Sequence, residues 1–122
     1  MGDPVVHFEI GGRDRAVLRR FYSSLFGWNI EPQEHSDVIS TGSTEGINGH
    51  TTSLGHEPHT YTMFYVRVAD LDACVANCES LGGSRLVGPV DIPEGRFAWL
   101  TDPEGNTVGV LESAVGDAGA PS

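Results

Sequence analysis

The stretch VVHFEIGGRDRAVLRRFYSSLFGW, residues 5–28, decides the fold, because its pattern returns later in the chain. Val6, Phe8 and Ile10 alternate with Val5, His7 and Glu9, the period of a half-buried strand. Val17, Leu18, Phe21, Leu25 and Phe26 follow at helical spacing, with Asp14 near the start and Gly27 past the end as a C-cap. Shifted by 56 residues, from Asp14 to Asp70, the order recurs: Phe8 falls on Phe64, Leu25 on Leu81 and Gly27 on Gly83. YTMFYVRVAD reads as a strand, and DLDACVANCESLGG as a helix capped by Asp70 and stopped at Gly82–Gly83.

Three shorter strands follow each strand–helix pair. In the first half they are WNIEPQ, DVISTG and the glycine-broken GINGHTTS; in the second, SRLVGPVDIPE, GRFAWLTD and NTVGVLE. LGHEPH, residues 54–59, is a polar connector, and TDPEGN places Pro and Gly for a tight reversal. An internal repeat governs architecture. The expectation is therefore an α+β domain over residues 1–113, with module one at 4–53, module two at 60–113 and a flexible tail at 114–122.

Seventeen Asp and Glu stand against seven Arg and no Lys, a net charge of −10. Such a surface repels phosphate backbones and anionic headgroups, so neither nucleic acid nor membrane is an expected partner. No basic leader precedes an apolar run, and no apolar stretch approaches the roughly 20 residues that span a bilayer, which points to a cytoplasmic protein. Cys74 and Cys78 form a C-x3-C pair on one helix face with no further Cys or His nearby. They read as small residues of a half-buried face in a reducing compartment. His35, His56 and His59 fall in polar loops and are expected at the solvated surface. The sequence holds no nucleophile elbow, phosphate-cradling loop or dinucleotide fingerprint.

Taken together, residues 5–28, FYVRVADLDACVANCESLGG (64–83) and FAWLTDPEGNTVGVLE (97–112) resemble the vicinal oxygen chelate superfamily. That group includes glyoxalase I, extradiol dioxygenases, fosfomycin-resistance enzymes and bleomycin-sequestering proteins. The resemblance implies two paired βαβββ modules that form an open half-barrel cup. In the enzymes of the group a divalent metal sits on the cup floor, held from the first and last strands of each module. Carried onto this sequence, the first strand offers His7 and the last offers Glu112. Met63 stands where the repeat would place a second His, and HTTS, residues 50–53, contains no acid, so His50 is the remaining candidate ligand. By the period of two, Val108, Val110 and Glu112 share a face, and that face is expected to look into the cup. Glu112 is then either a metal ligand, a general base, or the partner of His7 in a charge-assisted hydrogen bond.

Tyr61, Met63, Tyr65 and Arg67 share one face of the middle strand, opposite Thr62, Phe64, Val66 and Val68. With Trp28 and Trp99 they are candidate lining for a planar, anionic small molecule, although Tyr65 and Arg67 equally suit a dimer interface or outer rim. The expected function is small-molecule binding, with an incomplete site that holds no metal or holds Zn, Ni, Mn or Fe weakly. The alternatives are a metal-dependent lyase, isomerase or dioxygenase using His7 and Glu112, and an interaction domain whose cup is closed by side chains. A homodimer is expected, to cover exposed strand edges.

Overall fold

Asp14 and Asp70 start two helices in the same way in the computed structural model, which describes residues 2–114. Their backbones are nearly superimposable, at φ −139°, ψ 104° and φ −137°, ψ 104°. The Asp14 carboxylate accepts from the N–H groups of Ala16 and Val17 and opens α1 (Arg15–Phe26); that of Asp70 accepts from Ala73 and opens α2 (Leu71–Ser80). Gly27, at φ 73°, closes α1 by donating to the Ser23 carbonyl. Leu81 caps α2, and the chain then reverses through Gly82 at φ 98°.

Around these helices lie β1 (Val5–Gly11), β2 (Asn29–Pro32), β3 (Ser36–Ser40), β4 (Gly49–Thr52), β5 (Tyr61–Arg67), β6 (Ser84–Ile92), β7 (Gly95–Thr101) and β8 (Thr107–Ser113). The order is βαβββ twice over, the α+β architecture that the repeat predicts. The tail from residue 115 onward lies outside the described residues. No described helix is long and apolar enough to cross a membrane.

The chain forms two compact units, His7–Met63 and the residues up to Val6 together with those from Phe64 onward. In the first, the strand order is β2-β3-β4-β1; β3 is antiparallel to both β2 and β4, and β4 runs parallel to β1 with Glu9 opposite His50. Helix α1 lies on one face of this sheet. Tyr22 stacks on Trp28 at 5.6 Å, Trp28 meets Phe8 at 5.5 Å, and Ile10, Ile30 and Ile39 are buried. Asp37 on β3, only 1 % exposed, receives hydrogen bonds from Arg15, at 3.0 Å, and Arg19 of α1.

In the second unit the order is β5-β8-β7-β6, with β5 parallel to β8 and antiparallel pairs beyond it. Its core is Val68, Leu71, Ala98, Leu100 and Val110, with Val66, Cys74, Val75 and Cys78 packed beside it. Both cysteines are free and half-buried, as their spacing suggested. The Asp102 carboxylate accepts from the N–H groups of Glu104 and Asn106 and so organises the TDPEGN reversal between β7 and β8.

Candidate functional site

Since Phe8 and Ile10 turn toward α1, the period of two sends His7, Glu9 and Gly11 to the opposite face of β1. The parallel register with β4 brings His50 and Thr52 beside them, and Tyr61 at the start of β5 completes the group. Glu9 is its centre and is 3 % exposed. His50 Nε2 lies 3.1 Å from Glu9 Oε1, while the Tyr61 hydroxyl donates to Oε2. Thr52 Oγ1 sits 2.9 Å from the Tyr61 hydroxyl and 3.5 Å from Glu9 Oε2. Beyond this ring of donors, His7 Nε2 is 2.6 Å from His50 Nδ1.

A carboxylate only accepts, so His50 donates from Nε2 and turns its Nδ1 lone pair to the Nε2–H of His7. The chain His7 to His50 to Glu9 thus has one direction. Burial, reinforced by His50 and opposed by Glu9, pushes His7 down to about 4 from 6.5, so at neutral pH it is an uncharged imidazole. Burial and the bond to Glu9 raise the Tyr61 hydroxyl, which stays protonated and donating. Gly11 makes this possible: a Cβ there would lie 2.1 Å from the Tyr61 ring.

His7 and His50, two of the three expected ligands, therefore stand together. Glu112 belongs to the other unit and has its partners there, and the expected orientation of its face is corrected by the packing within that unit. Val110 belongs to the α2 core, so Glu112 shares the helix-covered side of β8. Its Oε2 accepts from the Leu71 N–H at 2.8 Å, and its Oε1 from Arg96 Nε at 3.2 Å; Arg96 also grips Asp72 at 3.0 Å. The Leu71 N–H first, and Arg96 second, hold this carboxyl below the usual carboxylate range. What Glu112 holds is the start of α2, where unpaired N–H groups and the helix dipole favour an anion.

The other expected residues separate by module. Met63 is buried on the Tyr61 face of β5. Tyr65 is buried too, and its hydroxyl accepts from Trp99 Nε1 at 2.9 Å. Gly109 leaves room for the Tyr65 ring, since a Cβ there would lie 2.3 Å from it. Trp99, which the sequence allowed on either face, is on the side away from Ala98, Leu100 and α2. Arg67 follows Tyr65 on the same strand face, and its backbone N–H donates to the Pro4 carbonyl. Trp28 is packed among Tyr22, Phe26 and Phe8 on the α1 side. His35 and His56 are exposed as expected, but His59 is half-buried near Glu57. The sequence reading missed Glu9 and Thr52 as site residues. The available signal was the alternation His7-x-Glu9, which puts an acid and an imidazole on one strand face.

A divalent metal fits this donor set poorly. Zinc–imidazole bonds of about 2.0–2.1 Å need two lone pairs aimed at one point, with the nitrogens about 3 Å apart or more. Here the facing nitrogens are 2.6 Å apart with a proton between them, and both Glu9 oxygens have donors. Among the described residues no group of three or more His, Cys, Asp or Glu is arranged to hold a metal.

A family model described as a glyoxalase-like domain matches residues 7–111. Over 111 residues the chain is 29 % identical to a Mycobacterium tuberculosis protein named "Putative glyoxylase CFP32", covering 82 % of this chain and 42 % of that protein. Over 85 residues it is 34 % identical to the anthracycline biosynthesis protein DauV of Streptomyces sp. strain C5, covering 70 % of this chain and 27 % of that one. The chain thus spans less than half the length of these curated relatives. Methylmalonyl-CoA epimerase from Mycobacterium tuberculosis shares the fold with a TM-score of 0.64 at 18 % identity, over 95 % of this chain and 91 % of that one.

Proposed function

We propose, from the premise that this chain belongs to the glyoxalase-like domain family, that it binds a small molecule at the cluster of His7, Glu9, His50, Thr52 and Tyr61, without a metal and as a homodimer. The observation that carries this reading is the hydrogen bonding around Glu9: His50, Thr52 and Tyr61 lie against its carboxylate and His7 lies against His50, so these groups are directed at one another rather than at a metal position. Such a group recognises a ligand by exchanging one of these hydrogen bonds for one to the ligand, which rewards matching polar groups and rejects those that leave a buried atom unpaired. With His7 an uncharged imidazole and the Tyr61 hydroxyl protonated, the cluster presents neutral hydrogen-bonding groups and no fixed cation, so a neutral, polar ligand fits better than the anionic one that the sequence suggested.

One observation favours a second reading, the metal-dependent lyase, isomerase or dioxygenase. A carboxylate behind a histidine, as Glu9 stands behind His50 at 3.1 Å, is the arrangement that orients metal-bound imidazoles. Two experiments separate the readings. Calorimetric titration with Zn, Ni, Mn and Fe should give no tight binding; micromolar or tighter binding lost in both His7→Ala and His50→Ala would replace the first reading by the second. Thermal-shift screening against neutral polar metabolites should find a ligand that raises the melting temperature in the presence of chelator. That shift should vanish in His7→Ala, and a shift that survives there would remove the cluster from the site.

A further inference from the structure

The cluster around Glu9 carries few protons, and all of them run inward. Glu9 is 3 % exposed, and its carboxylate only accepts. On one side His50 donates to it from Nε2 across 3.1 Å, and His7 donates from Nε2 to His50 Nδ1 across 2.6 Å. Burial first, and His50 second, hold His7 at about 4 against the pull of Glu9, so at neutral pH it has no other proton. On the other side the Tyr61 hydroxyl donates to Glu9 Oε2, which leaves its oxygen to accept from Thr52 Oγ1 at 2.9 Å. The single Thr52 proton goes to Tyr61, or to Glu9 Oε2 at 3.5 Å, and in both cases it points toward the acid.

Two branches thus leave one carboxylate, and each ends in a lone pair: Nδ1 of His7 on β1 and Oγ1 of Thr52 on β4, both on half-buried residues. The parallel ladder brings the branches to one face, since Glu9 pairs with His50 and Gly11 with Thr52. Whatever meets these two atoms has to donate, whether it comes from this chain, from water or from a ligand. A ligand that carries only acceptors would set lone pair against lone pair and leave both partners unsatisfied, which is costly where water is scarce.

We infer that the cluster selects ligands that enter as hydrogen-bond donors, through a hydroxyl or an amide N–H, and that Glu9 is the positioning residue that fixes this by setting the direction of both branches. This rests on the small-molecule site of the proposed function and names the class of ligand it takes. Long-range proton–nitrogen NMR correlations of the ligand-free chain at neutral pH should show His7 and His50 protonated at Nε2 and bare at Nδ1. In titrations followed at the His7 ring, isopropanol should bind about tenfold or more tightly than acetone, which has the same heavy atoms and only accepts. Glu9→Gln has one acceptor and one donor, so its oxygen can replace Oε1 or Oε2 but not both, and one branch has to reverse and turn a proton outward. The preference for isopropanol should then be lost with unchanged far-UV circular dichroism, and His7 should carry its proton at Nδ1 if the histidine branch is the one reversed. A proton at Nδ1 of His7 in the wild type would overturn the assigned direction. Equal binding of the two probes would leave the cluster as the site and refute its demand for a donor, and a preference that survives in Glu9→Gln would refute the part given to Glu9. Expected tautomers with neither probe bound would refute the site itself, and this inference with it. Should Glu9→Gln fail to fold, Thr52→Val, which deletes one outward lone pair, should weaken isopropanol and spare acetone; an equal effect on both refutes the inference.

Discussion

Replacing Asp37 by alanine tests how α1 is held to its sheet. The carboxylate is 1 % exposed, with Oδ1 accepting from Arg15 Nη1 at 3.0 Å and Oδ2 from Arg19 Nη1. A hydrogen bond to a charged group contributes about 1.5–3 kcal/mol, so the pair amounts to about 3–6 kcal/mol before relaxation. Both guanidiniums keep access to water, and Arg15 retains its bonds to the carbonyls of Gln33 and Glu34 at 3.0 and 3.1 Å. They resolvate once the acid is gone, which places the loss at the lower end, about 3 kcal/mol. With about 2.1 cal/mol/K of unfolding entropy per residue, 122 residues give about 0.26 kcal/mol/K, and Tm should fall by about 12 °C. Scanning calorimetry reads this directly. Asp37→Asn, which keeps the shape and removes the charge, should fall between wild type and Asp37→Ala. A drop under about 3 °C for Asp37→Ala, or an Asp37→Asn protein as stable as wild type, would refute the view that this acid clamps the helix.

Three other perturbations have definite signs. His7 is held at about 4 in the folded chain against an ordinary 6.5, so the unfolded chain binds more protons between those values. Urea stability should be complete above pH 6.5 and decline as pH falls toward 4, and His7→Gln should flatten that decline. Glu112→Gln should lower Tm by about 4 °C at neutral pH by weakening the start of α2. Because the Glu112 carboxyl is depressed below 4.5, the difference should vanish as pH falls through its folded value, while ligand and metal titrations stay as in wild type. Gly11→Ala sets a methyl against the Tyr61 ring and should cost about 2 kcal/mol in denaturant unfolding, part of it recovered by adding Tyr61→Ala.

Local chemistry was legible in the sequence wherever one residue decides the outcome. Asp14, Gly27 and Asp70 mark helix ends by capping that depends only on near neighbours, and the duplicated strand–helix order followed from them. Faces were legible only up to a choice. The period of two correctly grouped Val108, Val110 and Glu112, but which side α2 covers is decided by its packing on Val110, which no short window contains. The position of His50 depended on the pairing of β4, whose glycine-rich neighbourhood has too little hydrophobic alternation to fix a register. Glu9 was visible on the His7 face, yet a lone acid on a strand does not reveal burial until Tyr61 and His50 arrive from distant parts of the chain.

Gly11 beneath Tyr61 and Gly109 beneath Tyr65 seat one phenol ring in each unit on a residue with no side chain. Trimming either ring would hollow out a recess about as large as benzene without displacing a strand, since no methyl stands below to fill it. In each unit the ring thus acts as a removable plug, and the space beneath it is set by one glycine and one phenol rather than by the path of the strands.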